Sequence, residues 1–593
     1  MTNITDVTAS AAAGTVRLAS PRTTAQIRLP DDRVFEAPVG TPLETYFRAI
    51  PFDTRAPILA AHVDGELREL TYLIVRDSDV RPITLADSDG QRIYVRSLTF
   101  LMLAAIEDLF PDASILVDYA LYSGGLYCVV NGRPPFTPEE LKRIEARMWA
   151  MVEADMPIGK ERIPIEEALR HFEAKGYWDK VELLRNRKKG YLTLYTLGNS
   201  RDYFHGYMVP STGYLRQLAL RPYGRGFALQ YPRREMPNVI QESQESPGLV
   251  EVFNEYGEWM KVMGVPNVGA LNAAHAAGRM QEVILVSEAL HEQRIARIAS
   301  AIAQRQPQVR TVFIAGPSSS GKTTFAKRLS IQLLANGIHP VPLGLDDFFL
   351  NRQDSPRDEN GEFDFESLYV LDLKLFSETL NRLIDGHEVM LPRFNFITGL
   401  REEAGTIQIG RDEVILIEGI HGLNPELVRE IPPDCIYRVY LSALTQLNID
   451  RHNRVPTTDT RLIRRLVRDA TTRGYSAADT LSRWESVRRG EKRWIFPYQE
   501  HADVMFNSAL VYELAVLKPF AEPLLLQVKP RTPEHIEAKR LLSLLEWFVP
   551  VSPEQIPDNS ILREFIGGSI LKDYFPHSHA RRDTAHEAGS QTR

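Results

Sequence analysis

Residues 310–324 read RTVFIAGPSSSGKTT. Arg310 to Ala315 is a β-branched and aromatic run that predicts a buried strand. Gly316-Pro317-Ser318-Ser319-Ser320-Gly321-Lys322-Thr323 follows at once, a full G-x-x-x-x-G-K-[ST] phosphate-binding loop. Phe325, Leu329, Ile331 and Leu333, set among Lys327 and Arg328, then open an amphipathic helix. Gly316 and Gly321 let the backbone curl so that successive N–H groups face one anion. The helix N-terminus adds its own unpaired N–H groups and its positive end. Lys322 is suited to the β- and γ-phosphates, and the Thr323 hydroxyl to Mg²⁺. Residues Gly316 to Thr324 are therefore the expected contacts of ATP with its magnesium ion.

Further acids stand where such a loop needs them. Val341 to Phe349 is a short apolar strand ending in Asp346-Asp347-Phe348-Phe349. In an open parallel sheet the C-terminal strand ends face the ligand crevice. A carboxylate there can accept the proton of an attacking hydroxyl, which makes Asp346 the candidate base. Val414 to Ile420 is a continuous apolar run carrying Glu418-Gly419, fitting a central strand whose acid holds Mg²⁺ or its water. His421 follows, as a substrate contact or a packed ring. Asp459 to Gly474 predicts a basic helix with Arg461, Arg464, Arg465 and Arg468 on one face. Arg461, Arg465 and Arg468 are the candidates to close over a transferring phosphoryl group and exclude water.

The totals exclude several classes. With 593 residues, 44% hydrophobic and 25% charged, the chain is long enough for three or four domains. A net charge of -7 argues against a protein devoted to wrapping nucleic acid. Two cysteines, Cys128 and Cys435, are too few for a disulfide framework or a Cys-based zinc site, and a reducing cytoplasm is the natural compartment. No signal-peptide pattern opens the chain and no run of eighteen apolar residues occurs, so no membrane span is expected.

In chain order, residues 1–17 predict a flexible leader and 18–85 a small β-rich unit. Thr24 to Leu29 alternates, Pro30-Asp31-Asp32 turns, and Val34-Phe35-Glu36 returns as a hairpin. Leu43 and Tyr46 share a helical face, with Thr41 fitting the N-cap. Ile58 to Val63, a turn at Asp64-Gly65 and strands near Thr71 to Ile74 complete the unit. Residues 92–230 mix helices and strands. Ser97 to Leu109 and Thr137 to Ala154 read as helices, the second with a capping box from Thr137 and Glu140. Ile163 to Tyr177 predicts another helix, ended by Gly176. Residues 231–307 form a helical connector that turns toward the phosphate-loop strand between Ile295 and Arg305. Residues 308–510 form the α/β unit, and 511–575 add a strand at Leu524 to Val528 and a helix. Residues 576–593 predict a disordered tail. Without Gly/Ser or Pro-repeat linkers, the halves should pack together.

Three resemblances follow from these residues. The 18–85 unit resembles a TGS domain, although any β-grasp unit would fit. RSLTFLMLAAIEDLFPDA (96–113) and DYFHGYMVPSTG (202–213) resemble the second additional domain of threonyl- and alanyl-tRNA synthetases. That family has His at the places of Ser97, Leu101 and Met208, and Cys at Phe204. The resemblance thus implies that editing chemistry is lost here; His205 alone makes no zinc site. The segment from 308 to 510 resembles the uridine kinase and phosphoribulokinase family. Gly344 to Phe349 is similar to its S-x-D-x-F-Y segment, Phe363-Asp364-Phe365-Glu366 to F-D-H-P, and Pro392 to Phe396 to P-x-Y-D-F. Asp459 to Gly474 is similar to its lid, and His501 to Val504 to its Y-A-D-V element. Phe349 and Phe394 replace tyrosines that hold the nucleoside.

The resemblance implies a catalytic role for Asp346 beside Lys322, and a ribose contact for Asp364. Phe349, Phe394, His421 and Arg473 complete the expected substrate contacts. The expected fold is a multidomain α+β and α/β chain whose P-loop kinase unit has a parallel sheet flanked by helices. The expected activity is ATP-dependent phosphorylation of a nucleoside 5′-hydroxyl, uridine or cytidine by default. The alternatives are an RNA-linked ATP-dependent regulator and a kinase of another small hydroxyl-bearing metabolite. No N-K-x-D segment follows the loop, which disfavours a GTPase. Contact with tRNA and assembly into a homo-oligomer stay open.

Overall fold

The computed structural model describes residues 20–576 apart from 53, 55, 243–245, 359, 360 and 362. The expected leader and all but the first residue of the expected tail lie outside the described residues.

The front of the chain holds a five-stranded mixed sheet. Thr24–Arg28 pairs antiparallel with Val34–Pro38 and parallel with Ser78–Thr84, and Ile58–Val63 and Glu66–Glu69 form the far hairpin. The alternation at Ala25, Ile27 and Leu29 buries one face against Leu43 and Tyr46 of the helix Leu43–Ala49. That helix is capped by Pro42, not Thr41, whose hydroxyl donates instead to the Pro38 carbonyl.

The next region packs helices against a four-stranded antiparallel sheet. Its long helix runs from Ser88 to Leu109, nine residues earlier than the apolar spacing indicates, because Asp87 can start it with polar residues in its first turn. The helix Pro138–Glu153 carries the capping box read from the sequence: the Thr137 hydroxyl accepts from Glu140 N–H, and the Glu140 carboxylate accepts from Thr137 N–H. The helix expected from Ile163 instead begins at Ile165. Gly159–Pro164 is a strand, paired with Tyr191–Leu197, because Pro164 fits the extended residue before a helix. The connector helix runs unbroken from Met280 to Gln304, so the chain turns toward the phosphate-loop strand only from Arg305, at the far end of the expected interval. Its Ile295, Ile298 and Ile302 face inward at helical spacing.

The rear is a five-stranded parallel sheet in the order His339–Gly344, Glu413–Gly419, Thr311–Ala315, Ile436–Ser442, Val504–Asn507. Thr311–Ala315 is central and wholly buried, as an apolar strand covered on both faces must be. The expected strand at Leu524 to Val528 is the end of a helix, Glu513–Leu526. Pro519 and Pro523 lie inside it and argue against a helix on local grounds. Burial of Leu514, Leu517, Ala521 and Leu525 outweighs them, since those positions follow a helical period.

The front and rear are packed together. One continuous core runs from Ile163 and Leu194 through Val312 and Phe325 to Leu541. The buried Lys180 ammonium lies 2.9 Å from Asp202 and 3.3 Å from Asp450, and the His452 ring lies 2.6 Å from Asp202. Burial would push the Asp202 carboxyl up, but Lys180 and His452 hold it well below the usual carboxylate range. Among the described residues no helix is long and apolar enough to cross a membrane.

Candidate phosphoryl-transfer site

The phosphate loop spans the gap between the central strand and the helix Lys322–Ala335. Gly316 is required by space: a Cβ there would lie 1.8 Å from the Leu441 carbonyl oxygen. Gly321 is required by conformation, with φ at +91° and a Cβ position 2.6 Å from Ile561. Pro317, Ser319 and Ser320 are buried. The Ser319 and Ser320 hydroxyls find no hydrogen-bond partner within the protein. Buried orphan donors in a curled loop suit phosphate oxygens. Lys322 donates to the carbonyls of Gly316 (3.0 Å) and Pro317 (3.1 Å), which holds its ammonium over the loop. Burial lowers its pKa, and Glu418, Glu564 and Asp346 act against that.

The sheet register brings the acids to this point. Glu418 lies opposite both Ile314 and Gly344 on its neighbouring strands. Thr323 Oγ1 donates to Glu418 Oε1 at 2.9 Å, while Glu418 Oε2 is buried without a partner. Burial pushes the Glu418 carboxyl up to about 7, against the pull of Lys322. A hydroxyl and a half-used carboxylate are hard oxygen ligands, which fits Mg²⁺. Asp346 follows Gly344 by two residues, in a turn at the strand tip. The residue is exposed to solvent, although neighbouring protein crowds its carboxyl. Burial raises its pKa, and Lys322 and Arg473 counter this. Asp347 turns away, accepting weakly from Phe394 N–H at 3.4 Å.

The basic helix Thr457–Arg468 faces the loop, but its arginines divide into two kinds. Arg461 is buried, pairs with Glu491, and donates to the Ser318 carbonyl at 3.1 Å. Arg464 is buried, pairs with Glu513, and reaches the carbonyls of Ser319 and Ser320, each at 3.4 Å. These two brace the loop from behind. Arg465 donates to Ser318 Oγ at 2.8 Å, and Arg465, Arg468 and Arg473 all lie within ion-pair reach of Asp469. Helical geometry ends at Arg468; a wider turn, Asp469–Arg473, closes on Gly474 at φ +68°.

Phe349 and Phe394 stand edge to face at 5.4 Å, with Phe396 at 5.1 Å from Phe394. Three rings near a strand-tip acid make an apolar wall for a planar group. Asp364 Oδ1 accepts from Glu366 N–H at 3.2 Å, ordering its own turn. His421 is buried against Trp494, and burial pushes its pKa down to about 3.

Two residues escaped the sequence reading. Glu366 packs its stem against Gly490, where a Cβ would lie 2.3 Å away. Burial and the nearby Glu491 charge push its carboxyl up to about 7, while Arg465 and Lys322 pull it down, so it faces the site's charges. Glu564, more than two hundred residues after the loop, accepts from Thr324 N–H (3.2 Å) and Thr324 Oγ1 (2.9 Å). A carboxylate therefore already sits at the loop helix's positive end. Glu366 stands at the place of the Pro in the F-D-H-P segment, which gives it no role of its own, and no local pattern marks Glu564; both act on the site through tertiary packing.

This is the arrangement of a P-loop-like kinase unit: a central parallel strand, a glycine-framed anion cradle, and strand-tip acids beside one lysine. Residues 311–515 match the model of the "Phosphoribulokinase / Uridine kinase family". The chain is also 34% identical over 197 residues to a threonine–tRNA ligase of Laribacter hongkongensis (strain HLHK9), covering 33% of this chain and 31% of that protein. It is 36% identical over 198 residues to the threonine–tRNA ligase of Acidithiobacillus ferrooxidans (strain ATCC 53993 / BNL-5-31), covering 33% and 30%. The chain thus spans less than a third of the length of these curated relatives. Among solved structures it is similar to the "Structure of a Possible Uridine Kinase from Bacillus stearothermophilus", with TM-score 0.26 and 21% identity over 36% of this chain and 98% of that one. The protein is a multidomain chain with a C-terminal domain of the phosphoribulokinase and uridine kinase family and an N-terminal region related to threonine–tRNA ligases.

Proposed function

We propose that the protein is an ATP-dependent kinase that phosphorylates the 5′-hydroxyl of a nucleoside. The observation that carries this reading is Asp346, a crowded carboxylate whose charge and that of Lys322 act on each other across the phosphate loop. Burial makes the carboxylate more basic, and the nearby cation keeps it ionised, the balance a proton acceptor needs. Asp346 takes the hydroxyl proton as the new O–P bond forms, and ADP leaves. Lys322, the loop N–H groups and the two orphan serine hydroxyls hold the transferring phosphate. Thr323 and Glu418 would hold Mg²⁺, which supplies charge neutralisation when bound. Arg465, Arg468 and Arg473, which share the Asp469 carboxylate, supply positive charge toward the phosphates, whereas Arg461 and Arg464 fix the loop. The three phenylalanines receive the base by stacking, and Asp364 and Glu366 the sugar hydroxyls.

The front sheet is read as a TGS-like β-grasp unit, and the region behind it as a synthetase-like scaffold. Ser97, Leu101, Phe204 and Met208 are all buried, the Ser97 hydroxyl accepting from Val209 N–H at 3.0 Å. That packing supports loss of editing chemistry. Transfer of labelled γ-phosphate to a panel of nucleosides tests the reading. Acceptor-dependent product is expected, and hydrolysis without any phosphorylated acceptor would overturn it.

A further inference from the structure

A well-formed cavity lies away from the phosphate loop. It holds about 570 Å³ and lies where three parts of the chain meet: Glu66 to Arg68 of the front sheet, residues 89–99 and 204–207 of the synthetase-like region, and residues 452–459 and 536–544 of the rear. That volume suits one small-molecule ligand. Of the former editing positions only Phe204 borders it, and more than a third of its lining comes from the rear of the chain.

Its charge is unbalanced. Six basic side chains line it against three acidic ones, Glu66, Asp89 and Asp459. Four of the six have carboxylate partners: Arg68 and Lys539 pair with Glu66, Arg92 with Asp89 and Glu537, and Arg540 with Asp459 and Glu537. Arg96 and Arg454 have no carboxylate within ion-pair distance among the described residues. Arg96 Nη1 donates to the Tyr207 carbonyl at 2.6 Å, and Arg454 Nε to the Asp118 carbonyl at 3.0 Å. The Arg96 guanidinium lies over Gly206, where a Cβ would approach its Cζ to 2.6 Å. Burial pushes Arg96 down to about 10, and Arg92 and Arg540 add to this. Half-buried guanidiniums with no carboxylate at ion-pair distance are suited to an oxyanion that can accept two parallel hydrogen bonds, such as a phosphate group. Phe204, Tyr207 and Tyr231 supply apolar walls.

We propose that this cavity is a second ligand site, for a phosphorylated nucleoside, with Arg96 and Arg454 on its phosphate and the aromatic walls on its base. The site is wired to the phosphate loop. Asp459 lies in the first turn of the helix whose Arg461, Arg464 and Arg465 touch the loop, and Arg540 holds it at 2.5 Å. The cavity admits one nucleotide, and the acidic chain disfavours a long RNA track.

The test is calorimetric titration of the full-length protein with the four ribonucleoside 5′-monophosphates, its phosphate loop saturated with a non-hydrolysable ATP analogue. One of them should bind at a single site, at least tenfold more weakly in Arg96→Gln and in Arg454→Gln. Arg96→Lys should retain most of the affinity, and circular dichroism should show each variant folded. The same site should persist in Lys322→Ala, which makes the result independent of whether the protein phosphorylates nucleosides. Absence of binding at millimolar nucleotide would overturn the proposal. So would binding lost in Lys322→Ala but unchanged in Arg96→Gln, inorganic phosphate binding as tightly as any nucleotide, or binding of single-stranded RNA alone.

Discussion

Removing Arg464 should unfold the phosphate loop from behind, without touching any phosphate. Arg464 and Glu513 are both buried, and Arg464 Nε lies 2.8 Å from Glu513 Oε2. The same guanidinium donates to the Ser508 carbonyl at 2.8 Å and to the loop carbonyls of Ser319 and Ser320. Arg464→Ala leaves Glu513 as a buried charge with no cation, since Arg464 is its only ion-pair partner among the described residues. Breaking such a pair costs about 3–5 kcal/mol. At roughly 2–4 °C per kcal/mol for a unit of this size, the rear melting transition should fall by about 6–20 °C. Replacing both residues by leucine removes the stranded charge and should recover most of that loss. Arg465→Ala, which removes a partly exposed side chain, should cost about 1 kcal/mol or less. Scanning calorimetry of the three variants decides the matter. An Arg464→Ala protein melting within about 2 °C of the parent would refute the reasoning. So would a double variant no more stable than Arg464→Ala.

Gly316→Ala should abolish ATP binding in filter assays, because its methyl would collide with the Leu441 carbonyl; parental affinity would contradict this account of the loop. Glu564→Gln should lower the KM for ATP about two- to fivefold, since it removes a negative charge from the helix end that receives phosphate; an unchanged or raised KM would count against that placement. The Asp202 carboxyl has a pKa depressed in the folded state, so its stabilisation is complete above the unfolded carboxylate pKa of about 3.9 and is lost as pH falls below it. Melting temperature should therefore drop more steeply below about pH 4 in the parent than in Asp202→Asn. Parallel curves would show that the joint with Lys180 and His452 contributes nothing to acid sensitivity.

The parts of the fold that were legible in the sequence are those with a short-range physical signature. The phosphate loop declares itself because strand, glycine turn and helix are contiguous, and Thr137 and Glu140 because a capping box spans four residues. The helix Glu513–Leu526 was not legible: a short apolar run with prolines reads locally as a strand, and only its burial shows the helical period. The arginine helix was half legible. Spacing puts Arg461, Arg464, Arg465 and Arg468 on one face, but their division follows from Glu491 and Glu513, which lie about thirty and fifty residues away. Glu366 and Glu564 join the site's charges through packing alone. The cavity behind Arg96 belongs to three distant segments, so no window of sequence contains it.

The most direct measurement is single-turnover phosphoryl transfer by Asp346→Asn, with the acceptor that the nucleoside panel identifies. Asparagine keeps the shape of the side chain but cannot take a proton. The rate should fall by about 10²–10⁴-fold while ATP affinity stays within about threefold of the parent. Transfer at an undiminished rate would remove Asp346 from the reaction and with it the proposed mechanism.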